Sequence, residues 1–300
     1  MHVLRSPDEA ALRIEQTIDR LVDVLPPIAN VLSAFKKVLA ESARIKAEIS
    51  FDGGFAPPAP DPLRFEQGIP AGLGEEGVAR VSSRLNDTAQ RMISILRQSF
   101  PLLSANLDRL SAGLDREGWN ADVFLRSFLA DRNLAAAALA AEVQVDEKSV
   151  LFAMTAALKP ILEKAAELIE PSIRELTWLK GCCPICGSLP ELSFIKPDSS
   201  RRFLRCSLCA HTWCFQRMEC PCCESGASGS IEYLYVDEKE FERVEVCNKC
   251  MKYVVALDLR KCSDPPMLEL AAPALLHLDA IARLRGYHPM ATTMWNGLDL

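Results

Sequence analysis

The sequence predicts an α+β protein: an N-terminal helical bundle over residues 1–180, two small metal-stapled β modules over 181–215 and 216–265, and a C-terminal helix and tail over 266–300. Three observations predict it. Apolar residues recur at helical spacing through the first 180 residues. All twelve cysteines fall between Cys182 and Cys262. Around them the apolar runs become short, β-branched and aromatic, separated by turn residues.

The helical part opens on Ser6-Pro7-Asp8-Glu9, a capping serine, a proline at the first helical position and a glutamate three residues after the cap. Leu12, Ile14, Ile18, Leu21 and Val22 follow at helical spacing. Pro26-Pro27 ends that helix, and 28–49 supplies a second amphipathic one. Residues 51–62 form a Gly/Pro-rich stretch, read as a mobile loop. Further helices are expected over 86–98, 101–112, 121–129 and 134–141, with a longer one over 148–178 that kinks at Pro160 or Pro171. Short links between apolar-faced helices imply a bundle whose stripes are core. No repeat and no low-complexity tract stands out.

From Trp178-Leu-Lys-Gly181 onward, 191–195 and 202–205 read as one hairpin, and 230–236, 241–246 and 252–259 as a three-stranded meander. The tail returns to helix over 268–284, with Gly286 placed to cap it.

Composition bounds the setting. Half the chain is apolar (49%) and 25% is charged, as in a soluble globular protein able to bury a core without disulfides. The N-terminus has no apolar secretory core, and no apolar run approaches the roughly 18–20 residues of a membrane helix, so a cytoplasmic location is expected. In that reducing setting a twelve-cysteine disulfide framework is disfavoured. The net charge is −6, and 11 Lys/Arg against 12 Asp/Glu over 181–266 leave that segment at −1, without the basic face that nucleic acid requires.

Eight cysteines form four Cys-x-x-Cys knuckles: Cys183/Cys186, Cys206/Cys209, Cys220/Cys223 and Cys247/Cys250, separated by 19, 10 and 23 residues. A tetrahedral tetrathiolate site needs two knuckles face to face. Sequential pairing puts Cys183, Cys186, Cys206 and Cys209 in one site and Cys220, Cys223, Cys247 and Cys250 in the other, each long gap holding its own strand pair. A cross-brace, first with third and second with fourth, is the alternative. Gly187 after the first knuckle allows positive φ, so that backbone N–H groups point at sulfur. The other three knuckles lack that glycine, and less regular turns are expected there. Cys-Pro-x-Cys-Gly is the knuckle of rubredoxins and zinc ribbons, and four sulfurs suit zinc or a single iron equally. Cys182, Cys214, Cys222 and Cys262 are left over and read as small core residues. His211 reads as an ordinary strand histidine, and His2, His277 and His288 are scattered. Neither a Ser/His/Asp arrangement nor a phosphate loop is present, so an enzyme is not expected.

The chain resembles the FdhE-type formate dehydrogenase accessory proteins. The resemblance rests on Cys183-Pro-Ile-Cys186-Gly187 with Pro190, on Arg205-Cys206-Ser-Leu-Cys209 with Trp213, and on Arg217-Met-Glu-Cys220-Pro221. It continues in Glu245-Val-Cys247-Asn-Lys-Cys250-Met-Lys-Tyr253, Leu278-Asp279 and Gly286-Tyr287. It implies a helical domain followed by two rubredoxin-like modules that each bind iron through these eight cysteines. It also implies a cytoplasmic role in maturation of formate dehydrogenase, by contact with the immature catalytic subunit before export. Two other readings stand beside it: rubredoxin-like electron transfer or redox sensing, and a zinc-ribbon interaction scaffold.

Overall fold

A computed structural model describes residues 6–51, 55–236, 239–262 and 264–297. His2 and part of the 51–62 stretch lie outside the described residues. The chain divides into two compact units, one from residues up to Pro58 together with Leu73–Ile169, the other from Ala59–Gly72 together with Glu170–Asn296.

The first unit is helical. Helix α1 (Pro7–Val24) starts on Ser6, whose side chain accepts from the Glu9 amide at 3.2 Å, and packs on α2 (Ala29–Glu48) through Ile14 and Ile18. A short α3 (Pro62–Glu66) belongs to the second unit. Helix α4 (Gly74–Ser99) begins well before residue 86, because Val78, Val81 and Leu85 carry its buried stripe back to a first turn holding Glu75 and Glu76. Helices α5 (Ser104–Leu114), α6 (Ala121–Ala130) and α7 (Arg132–Val143) follow, the last two capped by Asn120 and Asp131 side chains. Helix α8 (Glu147–Ile173) is buried on every side over residues 152–163, as in a helix enclosed by others. Both prolines lie within it, and it ends at Ile173, short of Trp178. The rings of Phe35, Phe100 and Phe152 meet edge-on at 5.1–6.1 Å in this core. Lys159 and Glu163, both buried there, pair at 3.7 Å, and Lys46 reaches Glu163 at 3.2 Å.

The second unit contains one sheet. Strands β1 (Pro190–Ile195), β2 (Arg202–Cys206) and β3 (Thr212–Phe215) make an antiparallel ribbon, as do β4 (Ile231–Leu234), β5 (Glu242–Cys247) and β6 (Lys252–Asp258). The expected hairpin and meander are therefore present, and β3 is an addition. The two ribbons do not stay separate. β1 and β6 pair in parallel over Leu192–Ile195 and Val255–Asp258, giving the order β3-β2-β1-β6-β5-β4. A two-residue β7 (His288–Pro289) pairs in parallel with the start of β6, at Lys252 and Tyr253. Each ribbon follows one plan of knuckle, strand, strand, knuckle, strand, so the chain does contain a repeat. Outside the cysteines little in the sequence marks it.

Buried polar groups bind the ribbons together. Arg202 on β2 pairs with Glu245 on β5, and Ser193 on β1 lies between them, donating to Glu245 at 3.0 Å and accepting from Arg202 at 2.9 Å. Arg202 also donates to the carbonyls of Gln216 and Glu219 at 3.0 and 2.8 Å. Arg205 and Glu191 form a second buried pair.

The closing helix is broken in two, α9 (Leu268–Ala274) and α10 (Leu276–Leu284). Pro273 supplies no amide hydrogen and its ring crowds the preceding turn, which ends α9. Gly286, with φ +86°, follows α10 as expected for a cap. Asp279 on α10 accepts from Tyr253 of β6 and from Arg283 at 2.8 Å, which seats the helix on the sheet.

Candidate metal centres

The four knuckles converge as two sequential pairs. Cys183, Cys186, Cys206 and Cys209 form one group and Cys220, Cys223, Cys247 and Cys250 the other, with all sulfurs in each group within 4.8 Å of one another. The closest cross-knuckle distances are 3.6 Å for Cys183–Cys209, 3.4 Å for Cys186–Cys206, and 3.7 Å for both Cys220–Cys250 and Cys223–Cys247. Metal–sulfur bonds of about 2.3 Å at tetrahedral angles place sulfurs about 3.8 Å apart, whereas a disulfide needs about 2.05 Å. The donor set fits a tetrathiolate metal ion and does not fit disulfides. Each group can hold one ion.

The knuckle turns are alike, contrary to the expectation from the missing glycines. The residue after each second cysteine is left-handed: Gly187 (φ +73°), Ala210 (+55°), Glu224 (+52°) and Met251 (+55°). Three of these positions carry side chains at a strain on the order of 1 kcal/mol each. That turn returns the amides of Gly187, Glu224 and Met251 to the carbonyls of Cys183, Cys220 and Cys247 at 2.8–3.0 Å. It also aims amides at sulfur. Ile185 N–H donates to Cys183 Sγ at 3.4 Å, and Leu208 and Cys209 N–H to Cys206 Sγ at 3.3 and 3.4 Å. Backbone donors stabilise thiolate charge, as a metal ligand requires.

Electrostatics favour a cation here. Burial pushes the Cys183 thiol well up, Cys220 up to about 12, and Cys250 up as well. Cys186 is held well down because Cys183, then Cys206 and Cys209, donate to it. Four thiolates enclosed together would repel one another, and a divalent ion supplies the compensation that they need.

The two sites differ in cover. Three of four thiols are buried in the first, two of four in the second. The first is also covered by a segment to which the sequence analysis assigns no element. The amides of Ala71 and Gly72 donate to the carbonyls of Pro184 and Ile185 at 2.8 and 2.9 Å, inside the first knuckle. Phe65 on α3 anchors that segment, its ring 4.7 Å from Trp178. Only the Gly/Pro punctuation of the segment signals its tight course; its partner is remote in sequence. The second site lies against Val254, Met290 and Ile231.

Gly181 ties the entry of the first ribbon to the third knuckle. A Cβ there would fall 2.0 Å from the Pro221 carbonyl oxygen, and its amide donates to Glu224 at 3.2 Å. Backbone on both sides leaves no room to adjust. Gly181→Ala is expected to destabilise the second unit by roughly 2 kcal/mol or more and to disturb the second site ahead of the first. Thermal unfolding and cadmium NMR of the two sites check this.

The remaining predicted positions are ordinary. Cys182, Cys214, Cys222 and Cys262 are half-buried, not core, and belong to neither group. Burial raises the Cys182 and Cys222 thiols, which keeps them protonated. His211 lies outside both groups, its carbonyl accepting from Cys206 N–H at 2.9 Å, and burial lowers its pKa. His277 faces Glu242 at 3.5 Å, and the His288 amide joins β7 to the Met251 carbonyl. Among the described residues no helix is long and apolar enough to cross a membrane.

Residues 182–217 match the family model for the FdhE central domain. An FdhE homologue from Aquifex aeolicus is 30% identical over 148 residues, 48% of this chain and 50% of that protein. FdhE from Escherichia coli is 34% identical over 110 residues, 35% of this chain and 34% of the relative. The chain therefore aligns with half or less of the length of these relatives. The crystal structure of the FdhE protein from Pseudomonas aeruginosa superposes over 98% of both chains with a TM-score of 0.62 at 22% identity, which extends the shared fold to nearly the whole molecule. Residues 182–217 thus carry an FdhE central domain, both tetracysteine groups fall on the motifs of the sequence resemblance, and the fold of the whole chain is similar to that of an FdhE protein.

Proposed function

We propose that this protein is an accessory factor for maturation of a formate dehydrogenase, acting in the cytoplasm on the immature catalytic subunit and performing no turnover itself. The observation that carries the reading is the pair of four-sulfur groups in a chain that carries an FdhE central domain and resembles FdhE proteins in fold. Cys183, Cys186, Cys206 and Cys209 would hold one ion, and Cys220, Cys223, Cys247 and Cys250 the second. Family resemblance favours iron over zinc, and the donor set accepts either. In either case the ion fixes the knuckles against their strands; iron would add one-electron chemistry.

Binding is the direct test. Metal-loaded protein mixed with the purified, cofactor-free catalytic subunit should elute as a complex. Failure to associate with either iron or zinc loaded removes the reading. Metal analysis and an absorption spectrum of protein purified without oxygen decide the ion, since tetrathiolate iron is coloured and bleaches on reduction while zinc is colourless.

The difference in cover gives a further expectation. Chelator should strip the second site first, because Cys223 and Cys250 are both half-buried while the first site exposes only Cys186 and is covered by Ala71–Gly72. Release rates from single-site variants check the order, and faster release from the first site would contradict it.

A further inference from the structure

The β3 end of the sheet is open. Cys206 N–H donates to the His211 carbonyl at 2.9 Å, which makes 206/211 a hydrogen-bonded pair of the β2–β3 ladder. Antiparallel pairs alternate, so 204/213 and 202/215 are also hydrogen-bonded, whereas Thr212 and Cys214 turn their N–H and C=O groups away from β2. Among the described residues, no backbone hydrogen bond reaches those outward groups. An unpaired strand edge is a template for a further strand.

A cavity of about 410 Å³ opens at the same place, lined in part by Trp178, Arg201, Cys214, Phe215 and Arg217. Cys214 and Phe215 point to opposite faces of the sheet, so a cavity touching both lies along the strand's edge. Its lining contains no carboxylate. The third lining arginine, Arg202, is neutralised by Glu245, but Arg201 and Arg217 have no acidic partner among the described residues. Arg201 donates to Cys214 Sγ at 3.2 Å. Leu179 and Met218, 59% and 62% exposed, flank this charge with apolar surface. Arginine beside exposed apolar and aromatic groups is the composition of a binding hot spot.

We propose that an extended acidic segment of the client polypeptide adds to β3 as a further strand, exchanging backbone hydrogen bonds with Thr212 and Cys214 while its carboxylates meet Arg201 and Arg217. The proposal rests on the accessory reading above and names the surface that performs it. Two uncompensated guanidiniums on a chain of net charge −6 favour an acidic strand over a second copy of this chain.

The experiment uses full-length, metal-loaded, isotope-labelled protein. The probes are the capped hexapeptide Glu-Val-Glu-Val-Glu-Val, its lysine-for-glutamate counterpart, and the purified catalytic subunit. The acidic peptide should shift the Thr212 and Cys214 amides saturably. In Arg201→Glu/Arg217→Glu its affinity should fall at least ten-fold while the lysine peptide gains. Cys214→Pro, which removes an N–H not used by β2, should abolish binding of both peptides with metal content unchanged. Shifts confined to β4, no saturable shift, concentration-dependent shifts at Thr212 and Cys214 without peptide (a second copy), or the same shifts with inorganic phosphate alone would each overturn the proposal. A catalytic-subunit complex undiminished by Arg201→Glu/Arg217→Glu sinks this docking edge and leaves the accessory function standing. A wild-type chain that binds the peptide but never the subunit sinks the accessory function and keeps the edge.

Discussion

Replacing Cys183 by alanine is expected to cut bound metal from two equivalents to one and to unfold the first ribbon, leaving the Cys220/Cys223/Cys247/Cys250 ion in place. The two groups share no sulfur, and each closes its own strand–strand–knuckle unit. Coordination in a structural tetrathiolate site contributes on the order of 10 kcal/mol, comparable to the roughly 5–15 kcal/mol that stabilises a whole domain. A three-sulfur site loses most of it. Cys247→Ala should mirror the result, sparing the first ion. Metal stoichiometry, with amide exchange along β1–β3 and β4–β6, reads the outcome. Should either substitution empty both sites, the two ions would be parts of a single cooperative structure.

The second large effect is expected at Arg202. Arg202→Met should destabilise the second unit by about 3–5 kcal/mol, because Glu245 would remain buried as an uncompensated charge. At roughly 2–4 °C per kcal/mol for a unit of this size, the melting temperature should fall by roughly 10 °C. Arg202→Met/Glu245→Leu should regain most of that loss, since removing both charges removes the desolvation problem. A residue on the order of 1–3 kcal/mol should persist, because the Gln216 and Glu219 carbonyls lose their donor. A double variant no better than the single one would show that the arginine acts through those carbonyls and not through the pair.

What was legible in the sequence was local. The Ser6 cap, the Pro26-Pro27 break, the hairpin after Cys186 and the pairing of consecutive knuckles each follow from residues close together in the chain. What was missed depends on distance or context. The parallel contact of β1 with β6 joins residues some sixty positions apart and leaves no spacing pattern to read. The covering of the first knuckle by Ala71 and Gly72 is more remote still, spanning 113 positions. Ala210, Glu224 and Met251 hide left-handed turns behind ordinary side chains, because the knuckle geometry imposes a conformation their own preferences oppose. The division of 268–284 falls at Pro273, a local signal that the apolar face of the segment masks.

The β1–β6 seam has a consequence for synthesis. When the first ribbon has emerged from the ribosome, β2 satisfies one flank of β1 and the other flank is bare. It stays bare until the residues of β6 have followed, several seconds later at the usual rate of translation. For that interval the nascent chain carries an adhesive β surface exposed to neighbouring polypeptides. Early capture of an ion by the second knuckle pair would shorten the hazard, and metal starvation during growth should be felt first as loss of newly made protein.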